Sequence, residues 1–261
     1  MMMKTTVKIF ALAIISIAMA YQPANAQLTG QQVMEKVYNN PSGDDTQGSL
    51  TMTLTNSRGE QRIRTLKQFI KDDGKMEKKI MFFVSPADVK NTSFMSWSYT
   101  DGRSDDQWIY LPALKRTKRI SSDGKSDYFM GSDFTYDDLG DRHPNQDNHK
   151  LLREEKVDGK ECYVVESTSK ESGYMYSKTI TWVMKDNYLG LKREFYDERG
   201  RLLKVLTIEK FDKVDGFWTI LETEMHNVQK DHKTNMRFND VQKNKGITES
   251  KFTERSMTLG I

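Results

Sequence analysis

The chain has 261 residues, with 40 Lys and Arg against 37 Asp and Glu, and so near-even a balance excludes a partner gripped by bulk positive charge, nucleic acid first among them. Charged residues make up 30% and aromatics 10%, which provides a solvated surface together with enough apolar material for a core or an apolar pocket. Cys162 is the single cysteine, so no intrachain disulfide is available and packing has to hold the fold.

Lys4 and Lys8 precede an apolar run from Ile9 to Ala20, and Ala24-Asn25-Ala26 is a small-residue cleavage pattern. Together they predict a secretory signal peptide over residues 1–26 and a mature chain from Gln27. The run is shorter than the ~20 residues a bilayer-spanning helix needs. Position 27 is Gln and not Cys, so the attachment site of a bacterial lipoprotein is absent. Without Lys4 and Lys8 the mature chain carries 38 cations against 37 acids. No repeat, low-complexity tract or Pro/Ser-rich linker interrupts residues 27–261, which read as a single domain.

Thr29 with Gln32 forms a capping box, and Val33, Met34, Val37 and Tyr38 follow at helical spacing until "NNP" at 39–41 stops the run. A short amphipathic helix with one apolar face is expected. Beyond residue 41 most of the chain has period two. Leu50, Met52 and Leu54 alternate with Ser49, Thr51, Thr53 and Thr55; Ile180, Trp182 and Met184 alternate with threonines; Met236 and Phe238 have polar neighbours. These are half-buried antiparallel strands. "NSRGE", "DDGK", "VDGK", "DERGR" and "VDGF" separate them with hairpin chemistry. The stretch 126–149, "SDYFMGSDFTYDDLGDRHPNQDNH", has no alternation and too many turn formers for a strand; Thr135 with Asp138 caps a helical turn there. Loops of this length in a compact β domain are usually functional or disordered, and its aromatics favour function. A large antiparallel sheet must curl or split, and one helix plus one loop cannot cover a flat one. A curved half-barrel closed on its concave side by these two elements buries both.

Enzyme chemistry lacks its parts. "MGSDF" places Ser132 after a glycine without the frame of a nucleophile elbow, and Cys162 lies in a strand pattern that suits a core residue. His143 and His149 flank "PNQDN" without metal-ligand spacing, His226 and His232 have no evident companions, and Asp133, Asp137, Asp138 and Asp141 lack the order of a calcium loop. No cofactor is expected.

One stretch remains: "WIYLPALKRTKRI", 108–120, a strand-like head followed by a basic tail. It sits inside "DGRSDDQWIYLPALKRTKRISSDGKSDYFMGSDFTYDDL", 101–139, which resembles the region that marks the outer-membrane lipoprotein-sorting proteins of the LolA/LolB-like superfamily. The matching features are Asp101-Gly102, Trp108 to Pro112, the basic strand Lys115 to Arg119, and "FMGSDFTYDDL". The resemblance implies a mainly β fold, an unclosed antiparallel half-barrel of about eleven strands with short helices as a lid over a hydrophobic cavity. It also implies a carrier in the periplasm of a Gram-negative bacterium, monomeric and without enzymatic activity, that holds lipid or lipoprotein acyl chains. An inner-membrane exporter or outer-membrane acceptor is the implied partner. Alternatives are a lipid-sensing periplasmic regulator and an accessory subunit of a lipid exporter. The arginine before proline that latches the lid in the family's periplasmic carrier has no clear counterpart in "IMFFVSPADV", 80–89. The candidate cavity residues are Val33, Met34, Val37, Leu50, Met52, Leu54, Phe69, Met81, Phe83, Trp97, Trp108, Tyr110, Phe129, Phe134, Trp182 and Phe195. Lys115, Arg116, Lys118 and Arg119 are the candidate docking residues.

Overall fold

The computed structural model describes residues 27–261; the expected signal peptide lies outside the described residues. Helix α1 spans Gly30–Tyr38. A first meander comes next: β1 (Asp45–Thr55), β2 (Gln61–Asp72), β3 (Met76–Ser85), β4 (Ser93–Tyr99), β5 (Asp106–Leu111) and β6 (Arg116–Arg119). After the 126–149 stretch comes a second: β7 (Asp147–Val157), β8 (Lys160–Ser169), β9 (Lys178–Met184), β10 (Gly190–Tyr196), β11 (Leu202–Val214), β12 (Phe217–Asn227) and β13 (His232–Lys243). A short helix α2 (Glu254–Leu259) ends the chain. All thirteen strands form one antiparallel sheet, joined where β1 pairs β13, with β6 and β7 as unpaired edges. The sheet is an open half-barrel with somewhat more strands than the eleven or so expected.

Turn chemistry sets the meanders. In "VDGK" Asp158 and Gly159 have φ of 47° and 78°, and in "VDGF" Asp215 and Gly216 have φ of 50° and 90°. Two successive left-handed residues match the twist of a two-residue hairpin, and Asp-Gly tolerates them. The capping box of α1 is present in both directions, Gln32 N–H to Thr29 Oγ1 at 3.2 Å and Thr29 N–H to Gln32 Oε1 at 2.9 Å. Val33 and Met34 are buried with Val165 of β8 and Val183 of β9. A Cβ on Gly30 would stand 2.6 Å from the Leu151 backbone nitrogen. Glycine therefore lets the helix start directly against β7.

Register decides the faces. Leu50 pairs Leu66, Leu66 pairs Phe83, Met81 pairs Phe94, and Phe94 pairs Ile109. These residues, with Met52, Leu54, Met225, Met236 and Phe195, form the inner face, on which Phe129, Phe134 and Tyr136 of the long loop pack. Phe69, Trp97, Trp108 and Tyr110 are one residue out of phase with that series. They were expected in the cavity and instead stand on the outer face around Ile80, Phe82 and Met95. Trp182 is corrected likewise: it packs with Cys162, Val164 and Met184 on the outer side of β8 and β9, under Phe211, Trp218 and Ile220 of the twice-bulged β11–β12 hairpin. A side-chain period of two fixes which residues share a face and leaves open which face is inside.

The outer cluster is sealed by the C-terminal segment, which places Ile247, Phe252 and Met257 over Ile80, Phe82 and Met95. Asp45 fastens this segment. Its carboxylate accepts the Lys245, Gly246 and Ile247 N–H groups at 2.8, 2.8 and 3.1 Å. Burial raises the Asp45 pKa, but these three donors outweigh burial and hold it below the usual carboxylate value. Asp45→Asn trades one accepting oxygen for an amide donor facing those N–H groups. We expect a loss of roughly 2–3 kcal/mol by chemical denaturation and faster amide exchange over 245–259; unchanged exchange there would show that the anchor lies elsewhere.

Candidate functional site

The loop from Ser126 to Gly140 is a packed insert in the mouth of the half-barrel. The ring of Phe129, which is fully buried, lies 5.3 Å from Phe94 and 5.8 Å from Phe83, centroid to centroid. Polar anchors fix its backbone. Arg64, on β2, donates to the Met130 carbonyl. Gln107 Nε2 donates to the Tyr136 carbonyl at 2.9 Å. Asp133 accepts from Thr234 Oγ1 and lies beside His232 Nδ1, each at 2.7 Å, so His232 does have a companion. Thr135 and Asp138 cap each other's N–H groups, as expected.

The strongest anchor is a buried ion pair. Lys204, on β11, is 0% exposed. Its Nζ pairs with Asp138 and donates to the Asp133 carbonyl at 3.0 Å. Phe195, Tyr176 and Tyr128 surround it at 5.0, 5.1 and 5.8 Å. Tyr176 OH donates to Asp138 Oδ1 at 3.0 Å, and burial, then the Asp138 charge, pushes its phenol well above the ordinary value.

Beside this insert, space remains. A cavity of about 410 Å³ lies between the sheet and residues 138–140, lined by Leu50, Ile70, Met81, Leu139, Ile220, Met236, Phe238 and Val241, with Asp45, Asp72, Glu77, Lys79 and Lys243 among its polar residues. A smaller one of about 250 Å³ lies under α1, lined by Met34, Val37, Phe134, Phe195, Leu206 and Met225 together with Arg193, His149 and Asp141. Asp138 and Gly140 line both, so the 138–140 segment is a partition between them. The larger falls within the ~300–1,000 Å³ range of ligand pockets and is mostly apolar.

Of the sequence-predicted cavity residues, Leu50 and Met81 line the larger space, and Met34, Val37, Phe134 and Phe195 line the smaller. Val33, Met52, Leu54, Phe83 and Phe129 are buried core around the insert and α1. Ile70, Leu139, Ile220, Met236, Phe238, Val241 and Lys243 were missed, although the strand alternation had already marked Met236 and Phe238. Lys115, Arg116, Lys118 and Arg119 are exposed at the open edge of the sheet. They do not share a face: Lys118 pairs opposite Ile109 and Arg119 opposite Trp108, and Arg119 is tied to Asp106.

The nucleophile and metal candidates have structural roles. Ser132 Oγ accepts the Phe134 N–H at 3.3 Å within its turn. Cys162 is buried, which pushes its thiol pKa up. His149 lies 2.7 Å from Ser167 Oγ and 2.9 Å from the Pro144 carbonyl. Among the described residues no three His, Cys, Asp or Glu side chains form a metal cluster.

The partition carries a titratable group. Asp141 follows Gly140, and its N–H donates to Asp105 Oδ2 at 3.0 Å. Burial, then the charge of Glu77, pushes its carboxyl up to about 7, against the partial relief of Lys79. A carboxyl raised from the ordinary 3.8 stabilises the fold below pH ~4, and that contribution is lost as pH rises through ~7. Asp141→Asn should flatten the pH dependence of the thermal midpoint between pH 5 and 8 and, at pH 8, raise stability by roughly 2 kcal/mol. An unchanged slope would contradict the assignment to Asp141.

A family model described as an uncharacterized protein matches residues 75–259. No curated protein matches the chain. Among solved structures, an outer membrane lipoprotein-sorting protein domain from Vibrio parahaemolyticus is 33% identical with a TM-score of 0.82, over 88% of this chain and 98% of that one. A DUF1329 family protein from Desulfovibrio piger is 29% identical with a TM-score of 0.82, over 87% and 97%. A LolA superfamily protein from Nitrosomonas europaea, at 22% identity and a TM-score of 0.68 over 88% and 99%, shares the fold.

Proposed function

Since the chain belongs to the outer-membrane lipoprotein-sorting family, we propose that it is a periplasmic carrier that holds lipid or lipoprotein acyl chains in its inner-face cavity and moves them towards the outer membrane. The observation that carries this reading is the apolar space of about 410 Å³ between the sheet and the loop. Each methylene transferred from water contributes about 0.8 kcal/mol, so a chain that places eight methylenes there gains on the order of 6 kcal/mol. Binding and release need no catalytic step. Residues 27–261 work as one monomeric unit in this account, and the methionines Met81 and Met236 let the wall adapt to chains of different shape. Titration with a fluorescent long-chain fatty acid should show saturable one-site binding; a linear, unsaturable response would contradict it.

The basic edge is the docking surface of this carrier. β6 pairs on one side alone, and its cations and the 67%-exposed Leu114 project at the rim. Edge lysines and arginines also prevent sheets from joining, so a functional role needs its own test. Substituting Lys115, Arg116, Lys118 and Arg119 by Ser should abolish co-flotation with anionic vesicles while leaving fatty-acid uptake intact. Flotation unaltered by the four changes would assign the cations to edge protection.

A further inference from the structure

The larger cavity contains a cation that the fold does not neutralise. Lys243, the last residue of β13, is 4% exposed. It lines the 410 Å³ cavity and also a second, of about 280 Å³, bounded by Val37, Pro41, Tyr188, Leu189 and Trp218. Its Nζ donates to the Ser42 carbonyl at 2.7 Å and to Thr46 Oγ1 at 3.1 Å, both uncharged. An ammonium has three donors; these contacts account for two, and the Phe217 ring lies 5.9 Å from Nζ without a charge to offer. The carboxylates of the neighbourhood are engaged elsewhere. Asp45 holds three backbone N–H groups, Glu77 pairs with Lys79 at 3.3 Å, and Asp138 pairs with Lys204. Asp215 accepts the backbone N–H of Lys243 at 2.9 Å and faces Lys245 Nζ at 3.7 Å, while Asp72 caps its turn through the Gly74 N–H at 2.7 Å.

A buried charge without a counter-ion is costly, and proteins keep one where something else pairs with it. Burial indeed lowers the Lys243 pKa, against the raising charges of Asp215 and Glu77. Besides the polar residues already paired, the larger space is walled by Leu50, Ile70, Met236 and Phe238. A cation with one donor left over beside this apolar wall suits a molecule with an anionic end and a long tail.

We propose that Lys243 anchors the anionic end of a single-chain amphiphile, a carboxylate or a phosphate monoester, whose hydrocarbon lies along Leu50, Ile70, Met236 and Phe238. The inference rests on the carrier reading and makes it specific: the cavity selects for head-group charge as well as chain length. Amphiphiles of one chain length separate the two claims. Dodecanol, dodecanoate, dodecyl phosphate and dodecylamine are titrated by calorimetry into the wild type, Lys243→Met and Lys243→Arg. The wild type should bind one or both anions ~10- to 100-fold tighter than dodecanol, the range of a charge-assisted hydrogen bond, and dodecylamine more weakly than dodecanol. The tighter of the two anions identifies carboxylate or phosphate as the source. Lys243→Met should bring the anions down to the dodecanol level with dodecanol itself unchanged, and Lys243→Arg should keep most of the preference. Equal binding of dodecanol and both anions by the wild type overturns the anchor while leaving the carrier reading standing. An anion preference that survives in Lys243→Met also overturns it. Absence of binding by all four compounds overturns both. The wild-type series decides even if the methionine variant fails to fold.

Discussion

Lys204→Met should lose roughly 3–5 kcal/mol of stability, the cost of leaving one partner of a buried ion pair without the other. For a chain of this size each kcal/mol moves the thermal midpoint by about 2–4 °C, so a fall of roughly 6–20 °C is expected. The loss arises in the loop. Asp138 would keep its Tyr176 hydrogen bond and no cation, and the Asp133 carbonyl would lose a donor. Hydrogen exchange should therefore accelerate first over 126–141, ahead of the strands. The double variant Lys204→Met with Asp138→Leu should recover most of the loss, because an apolar pair of similar volume often replaces a buried ion pair at little cost. A single variant within ~1 kcal/mol of wild type would show that the loop is held by its aromatic packing and not by this pair.

The second large effect concerns the cavity. Ile70 stands on β2 with its side chain on the wall of the 410 Å³ space. Ile70→Trp fills room that about four ligand methylenes would occupy, which at ~0.8 kcal/mol each is ~3 kcal/mol, or a roughly 200-fold weaker affinity for a long-chain fatty acid. Stability should hold or rise, since the ring enters empty space. Ile63→Trp, on the same strand but 56% exposed and outside the cavity lining, is the control and should leave affinity unaltered. Equal affinity in both variants would place the ligand elsewhere.

Much of this architecture was legible in the residues. Capping, alternation and Asp-Gly turns are local signals, and they located α1, the hairpins and the irregular 126–149 stretch. The basic edge followed from four cations after a proline. What the sequence did not disclose is non-local. Trp108 and Tyr110 alternate as a strand should, yet which face they take depends on the pairing of Phe94 with Ile109. The C-terminal segment that covers them carries few apolar residues, and its anchor, Asp45, lies some 200 positions away in the chain. The Lys204–Asp138 pair joins two ordinary-looking polar residues across 66 positions. Phe129 is expected on the cavity wall and instead fills the space, because a concave face this wide has to be packed by something when, among the described residues, one short helix covers it.

The central claim is that the cavity carries a hydrocarbon chain, and mass spectrometry tests that most directly. The protein should be purified from its native source without detergent, then measured intact under non-denaturing conditions and again after solvent extraction. A stoichiometric long-chain adduct, lost in Ile70→Trp, is the predicted result and would name the cargo. A protein that is repeatedly bare, and that takes up no fluorescent fatty acid when one is supplied, would contradict it.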